Sequence, residues 1–475
     1  MEKVGIDDEC LYLEISNYME DRIFPLHTSI VLFLMSYCDT TSLKVFLVPN
    51  KNVADCTLWM KKVPANIPAS IISDQELPHV VQSCCLPAVV EKNGNFCRAG
   101  LAVVLRYIIH KTCEADCNRK DISELLGFKK TCLKACAEDS LGDCQEQMLK
   151  ALPLLSRWYR HVQEVSGVKK AAVSCGIRFL NLPATSPSSS MLTPSSSDRK
   201  DKNTETTDPH FRGGPRPTMN KLEENGISAR FSPHPFPLLS QNWSSFPLSA
   251  HPIEGKLSSE RALRKQQQLD NIISIVTKLA KPGDTIVDFC SGGGHLGIVL
   301  AHTLSSCQVI LVENKEESLV RARDRCDDLG LQNIWFLQTN LDYFTGPFQI
   351  GVALHACGVA TDMVIDHCIM ANAAFVICPC CYGFIQNTVK YTFPRSQKFK
   401  SVLSYKEHMI LCRFADQTAV QLPAERRLIG KNCMGLVDLD RAWSAEEYGY
   451  KVYVTSMEPD SCSPKNNLIV GSCSV

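Results

Sequence analysis

The sequence predicts an α/β protein in two parts. A small mixed sheet with a short helical stretch stands in front, and a doubly wound, mostly parallel sheet stands behind. Three observations predict this. Strand-like and helix-like runs alternate in both halves. A glycine-rich loop, Gly292-Gly293-Gly294, separates a strand-like from a helix-like run at the start of the second half. The 24 cysteines divide evenly, twelve at or before Cys175 and twelve at or after Cys290, with none between.

Composition narrows the class. The 475 residues set 50 Lys+Arg against 50 Asp+Glu, with 45% hydrophobic and 21% charged residues, which is ordinary for a globular chain of several domains. Zero net charge excludes a polybasic coat or an acidic tail protein and leaves room for a local basic groove. The acidic start, Met1 to Glu9, has no apolar signal core. The apolar runs Ser29 to Met35 and Leu101 to Val104 fall short of the roughly 20 residues of a membrane span. The expectation is a reduced, cytoplasmic protein, neither secreted nor membrane-spanning, whose cysteines are mostly buried thiols.

The front half is expected over 1–112, in the order strand (Leu11–Ile15), helix (Leu26–Tyr37), strand (Leu43–Val48), strand from Leu86, polar turn at Lys92–Asn95, and a helix from Ala99 to His110. Residues 113–181 carry helical spacing, as in Ile122-Leu125-Leu126 and Met148-Leu152-Leu155-Trp158. A linker, disordered or irregular, is expected over 182–255, where Pro183 to Ser190 and Pro194 to Ser197 cannot bury enough apolar area to order themselves.

Leu86-Pro87-Ala88-Val89-Val90, a turn, then Cys97-Arg98-Ala99-Gly100 and Leu105-Arg106-Tyr107-Ile108 resemble the thioredoxin-like domain of glutathione transferases, and Leu154-Leu155-Ser156-Arg157-Trp158 resembles part of their all-α C-terminal domain. The resemblance implies a cis bond before Pro87 and a glutathione site at the start of the next helix. Arg98-Ala99 stands where that family has an acidic residue and a serine, and Ser16, Tyr18 and Thr28 are thiol-activator candidates by location alone. The module therefore reads as a docking scaffold for a protein partner, with glutathione-dependent transfer as an alternative.

The second half, 256–475, begins with Pro282-Gly283-Asp284 and the strand Thr285–Phe289, followed by the loop Cys290–His295 and a helix from Leu296. Glycines let the backbone approach a ligand closely and adopt positive φ. The next strand, Cys307–Glu313, ends in a carboxylate suited to ribose hydroxyls. Gly292-x-Gly294-x-x-Gly297 with Glu313 fits a dinucleotide fingerprint. However, Asp288 before the loop would repel a diphosphate, and no Gly-Lys-Ser/Thr is present. Further strands are expected at Asn333–Gln338, Phe348–Leu354, Ala373–Ile377, Gly449–Val454 and Pro464–Gly471.

Asp288-x-Cys290-x-Gly292-x-Gly294 resembles motif I of the Rossmann-like class I S-adenosylmethionine-dependent methyltransferases, with Cys290 replacing the first glycine. With Ala353 to Asp362 and Cys378 to Tyr382, it also resembles a methyltransferase-like family that includes rRNA adenine dimethylase-like proteins. The resemblance implies S-adenosylmethionine as cofactor, held by Asp288, Cys290, Gly292, Gly294, Glu313 and Asn340, and RNA as the acceptor class.

His355 and Tyr382 are the candidates for positioning or deprotonating the acceptor, or else they close the pocket wall. Cys381 or Cys380 could act as a nucleophile if the acceptor is a pyrimidine carbon. His295, His355, Cys290, Cys357, Cys378, Cys380 and Cys381 could gather near one pocket, but no metal is expected, because Cys378-x-Cys380-Cys381 is too tight for a zinc knuckle and adjacent strand residues face opposite ways. Residues 390–406 interleave Lys390, Arg395, Lys398, Lys400 and Lys406 with Tyr391, Phe393, Phe399 and Tyr405, which suits a single RNA strand or a solvated connection equally. Arg261, Arg264 and Lys265 could extend that strip. Beside methyl transfer, a non-catalytic scaffold that retains a decayed site is the opposing reading.

Overall fold

The computed structural model describes residues 8–16, 24–39, 42–50, 63–126, 167–175, 214–252 and 258–473. The helical reading around Leu152–Trp158 and the linker up to residue 213 lie outside them.

The front half runs β1 (Cys10–Ser16), α1 (Leu26–Cys38), β2 (Lys44–Asn50), β3 (Ala69–Ile71), α2 (His79–Gln82), β4 (Ala88–Val90), β5 (Phe96–Ala99), α3 (Leu101–Ala115), α4 (Lys120–Glu124) and α5 (Val168–Ser174). β1 is parallel to β2 and antiparallel to β4, and β4 is antiparallel to β5. The Leu86–Pro87 bond is cis. The period-2 alternation of β1 splits its side chains. Leu11, Leu13 and Ile15 pack with Val31, Leu32, Val104 and Ile108 from α1 and α3. Cys10 and Tyr12 pack on the other face with Val80, Val81 and Phe344. Both faces are covered, so apolar residues fall on both sides of the strand from Cys10 to Leu13, and polar Glu14 and Ser16 come only toward its end.

The second half runs α6 (Arg216–Glu224), α7 (Ser259–Leu279), β6 (Thr285–Phe289), α8 (His295–Thr303), β7 (Gln308–Glu313), α9 (Glu316–Asp328), β8 (Ile334–Gln338), β9 (Ile350–Ala356), α10 (Ala360–Met370), β10 (Ala374–Pro379), α11 (Gln397–Lys400), α12 (Tyr405–Ala415), α13 (Ala424–Glu446), β11 (Tyr450–Ser456) and β12 (Asn467–Cys473). Its strands lie in the order β8-β7-β6-β9-β10-β12-β11. β12 is antiparallel to both neighbours, and the pairs from β8 through β10 are parallel.

The described part of the expected linker, 214–252, is packed against the second half. Residues 227–252 are irregular apart from two short 3-10 turns, as expected of Phe231 to Phe246, and the helix α6 is the correction to the reading of 182–255 as a disordered or irregular linker. α6 buries Leu222, and with Ile227 it joins Tyr382, Leu411 and Met434 in one cluster. Asp270 on α7 accepts from the Gln241 amide at 3.1 Å and from Trp243 Nε1 at 3.1 Å. α6 is short and mostly polar, with its few apolar residues gathered on the face that packs inward.

Among the described residues, the two halves share one 12-stranded sheet, because β5 pairs in parallel with β8. The joint aligns Phe96 with Phe336 and Arg98 with Gln338. Arg98 is almost fully buried there. Its Nη1 donates to Glu91 Oε1 at 2.7 Å and its Nη2 to Glu316 Oε1 on α9 at 2.6 Å. Arg323 of α9 returns to Glu91 at 2.8 Å. A polar cavity of about 380 Å³ opens beside these groups, lined from both halves by Tyr107, Lys111, Glu316 and Glu317. No helix of the described residues is long and apolar enough to cross a membrane.

Candidate cofactor site

The glycine loop sits at the carboxyl end of β6, as a doubly wound sheet requires of a ligand site. Cys290, Gly292 and Gly294 take φ of 55°, 55° and 72°. A Cβ on Gly294 would lie 2.8 Å from Leu311 and 2.9 Å from Ala322, so this glycine lets the loop press onto β7 and α9. A Cβ on Gly292 or Gly293 would meet nothing within 4 Å, so that side of the loop is open. The loop is held from two directions. Glu313 Oε2 accepts from the Gly292 amide at 2.9 Å, and Glu313 Oε1 accepts from the amides of Asn314 and Lys315 at 2.9 and 3.0 Å. From beneath, Arg325 Nη1 donates to the Gly293 carbonyl at 2.9 Å and Arg325 Nε to the Ser249 carbonyl at 2.7 Å.

Asp288 lies under the loop rather than beside it. Its Oδ2 accepts from the Gly297 amide at 2.9 Å in the first turn of α8. Loss of solvent pushes its pKa up to about 7, although that amide works in the opposite direction. His295, the first residue of α8, is pulled down to about 3 by burial and by the charges of Arg325 and Lys265. Lys265, on α7, reaches the same spot. Burial lowers its ammonium, and it interacts with Cys378, Asp288, His295 and His355. The sequence reading placed Lys265 on a surface strip; the structure turns it into the site.

His355 is the extra residue of a bulge, since Leu354 pairs with Cys378 and Ala356 with Pro379. Its φ of 73° is unusual for a side-chain-bearing residue. Gln268 Nε2 donates to the Cys462 carbonyl at 2.8 Å, which turns Gln268 Oε1 toward His355 Nε2 at 3.1 Å. That contact places the proton on Nε2 and leaves Nδ1 as the acceptor. Burial, with Lys265, takes His355 down to about 4, so the ring is neutral at physiological pH. Cys290 is pushed up to about 12 by burial, with the charges of Glu313, Asp288 and Cys357 adding to it.

The structure thus brings Asp288, Cys290, Gly292, Gly294, Glu313 and His355 to one end of the sheet and adds Lys265 and Arg325. Asn340 is exposed at the end of β8, where its carbonyl accepts from the Tyr343 amide at 3.0 Å. Tyr382 is turned away. Its hydroxyl donates to buried Asp438 at 2.6 Å, among Asn467 and Arg441. Cys381 falls in a group with Cys357 and Cys380, next to His355.

The strip at 390–406 is not a stacking face: Tyr391, Phe393 and Phe399 are buried in the cluster around Met434, and Tyr405 is the exposed aromatic of the four. Lys390 pairs with Asp342, Arg395 with Asp366, and Lys398 lies over Trp443.

The glutathione-like face of the front half is also filled. Gly100, which caps α3 at φ 93°, packs against Tyr343 of the second half, and Thr339 Oγ1 donates to the Ala99 carbonyl at 3.1 Å. Arg98 is committed to Glu91 and Glu316. Thr28 Oγ1 donates to the Glu14 carbonyl, Ser16 is buried, and Tyr18 lies outside the described residues.

Residues 264–388 match a family described as a methyltransferase domain. The chain is 47% identical over 626 aligned positions to a Bos taurus glutathione S-transferase C-terminal domain-containing protein, covering 99% of each chain. It is 47% identical to the Homo sapiens protein of the same description, covering 98% of each. Among solved structures it is similar to magnesium protoporphyrin IX methyltransferase from Synechocystis, at 12% identity and a TM-score of 0.28 over 45% of this chain and 81% of that one.

Proposed function

The chain belongs to the family of glutathione S-transferase C-terminal domain-containing proteins, and from that premise we propose that it is an S-adenosylmethionine-dependent methyltransferase. One observation carries the choice of cofactor. A dinucleotide's diphosphate needs the free amides and positive end of the helix after the glycine loop. Here the Asp288 carboxylate already occupies the Gly297 amide in that turn. A ligand with a nucleoside and a cationic centre fits this loop, and one with a diphosphate does not. The reversed β12 between β10 and β11 points the same way, since a dinucleotide-binding sheet keeps its strands parallel.

The residues fit the cofactor part by part. Glu313, at the end of β7, would take the ribose hydroxyls, and the open side of Gly292 and Gly293 would admit the nucleoside. Lys265, half-buried on α7 and acting on Asp288, would meet the carboxylate of the methionine end. When bound, the cofactor supplies an electrophilic methyl group on a sulfonium. The neutral His355 ring, held by Gln268, would accept a proton or hydrogen bond from the acceptor at Nδ1. For the acceptor class we propose RNA, supported by the family resemblance and not by aromatic stacking on 390–406.

Calorimetric titration of the full chain tests the cofactor reading. S-adenosylmethionine is expected to bind, and Glu313→Ala to weaken binding about 10-fold or more, the worth of a charge-assisted hydrogen bond. No heat from the folded chain, or tighter binding of an oxidised nicotinamide dinucleotide, overturns it. Methyl transfer to fractionated RNA, against protein and small-molecule fractions, tests the acceptor class.

A further inference from the structure

We propose that Cys357, Cys380 and Cys381 form a three-thiolate site for a divalent cation of the zinc class. Among the described residues, these are the group of three or more His, Cys, Asp or Glu whose ligand atoms converge within 4.8 Å. The Cys357 and Cys380 sulfurs are 2.9 Å apart, Cys357 and Cys381 3.4 Å, and Cys380 and Cys381 3.5 Å. Around a tetrahedral ion with bonds of about 2.3 Å, sulfurs stand roughly 3.8 Å apart. An ion at the centre would therefore move each sulfur outward by less than about 1 Å. A disulfide, by contrast, uses two of the three and needs a sulfur separation of about 2.0 Å.

The backbone is built around the group. Cys357 follows β9 and the Cys380-Cys381 pair follows β10, which are adjacent parallel strands. The Gly358 amide donates to the Cys381 carbonyl at 3.0 Å and the Cys380 amide to the Ala356 carbonyl at 3.3 Å, which ties the two strand ends together. The bulge at His355 re-aims the chain just before Cys357. Strand alternation, which sends neighbours to opposite faces, stops at Pro379 and leaves Cys380 and Cys381 free to face the same way. Cys378 still obeys it: it is fully buried, with its sulfur 3.4 Å from the Lys465 carbonyl.

Access favours a bound ion over inert thiols. Cys357 is exposed, and Cys380 and Cys381 are half-buried. On binding, three S–H protons leave to solvent and three metal–sulfur bonds form, with the metal unchanged in oxidation state. Three protein ligands leave the fourth position to water or a substrate atom. The inference does not rest on the cofactor reading, and its test does not use methyl transfer.

The test is metal binding by the full chain. After chelator treatment and desalting, it is expected to take up about one zinc per chain. Cobalt in place of zinc is expected to show thiolate-to-metal charge-transfer bands and the visible bands of a tetrahedral site. Cys357→Ser, Cys380→Ser and Cys381→Ser should each weaken zinc binding by more than roughly tenfold against a competing chelator. Cys117→Ser, at an exposed cysteine outside the group, should leave it unchanged. The cobalt spectrum of the unmutated chain stands even if a serine variant fails to fold. Folded chain that binds neither metal, cobalt bands without thiolate character, or a metal-free chain with a Cys357–Cys380 disulfide overturns the proposal.

Discussion

Removing the Arg98 side chain should loosen the joint between the halves more than its place in a four-residue strand suggests. Its guanidinium donates three hydrogen bonds, one to Glu91 and two to Glu316. It also lies 4.6 Å from the Phe96 ring and 4.3 Å from the Tyr107 ring. Glu316 is 40% exposed, so that pair contributes at the surface scale of about 0.2–1 kcal/mol. The more buried Glu91 bond contributes about 1.5–3 kcal/mol, and the ring contacts about 0.5–1 kcal/mol each. Glu91 keeps Arg323, so no carboxylate is stranded. Arg98→Ala should therefore cost about 3–6 kcal/mol, and Glu316→Gln less than about 1 kcal/mol. Equilibrium unfolding in urea, followed by circular dichroism, measures the loss. The emission of Trp335 on β8, which stacks on His79 of the front half, reports the joint itself. If Arg98→Ala unfolds within about 0.5 kcal/mol of the parent, or Glu316→Gln costs as much, the arithmetic is wrong.

Asp288 and Tyr382 carry two further predictions. The folded pKa of Asp288 is raised to about 7 by burial, above the roughly 3.9 of an unfolded chain. Between these values the unfolded state holds fewer protons, so this group's contribution to stability falls as pH rises from about 4 to about 7. Asp288→Asn should remove that slope in unfolding curves taken across the window, and parallel pH profiles for parent and variant would count against it. Tyr382→Phe should cost about 1–3 kcal/mol in unfolding free energy, because Asp438 loses its hydroxyl partner but keeps Asn467 and Arg441. Calorimetric affinity for S-adenosylmethionine should stay near the parent value; a large loss of affinity at unchanged stability would return Tyr382 to the site.

The doubly wound half was legible because its signals are local. Each strand carries its own apolar run, the loop its own glycines, and Glu313 ends its own strand, so the positions of β6 through β12 follow within a few residues. What escaped the sequence lies between segments. The pairing of β5 with β8 joins Cys97 to Leu337, and no periodicity in either strand announces a partner so far away. The aromatic residues at 391, 393 and 399 looked like a ligand face because a buried aromatic and a stacking one have the same side chain. Lys265 looked like a surface charge because its helix is charged at its start; its depth is set by β6 and β10 beneath. The gathering of cysteines at the strand ends was legible, but which three converge was not, because the spacing argument weighs Cys378, Cys380 and Cys381 within one segment while Cys357 arrives from the neighbouring strand.

The shared sheet also sets a schedule for synthesis. Phe96 and Phe336 pair across the joint, so the front half leaves the ribosome about 240 residues ahead of its partner. During that interval β5 presents an edge of unsatisfied amides and carbonyls, the kind of surface on which stray strands assemble. A four-residue length and the charge of Arg98 keep it from being a good template for them. When β8 emerges, it meets a nucleus already ordered on one side. The front half is then the older surface against which the catalytic-type sheet finds its last neighbour.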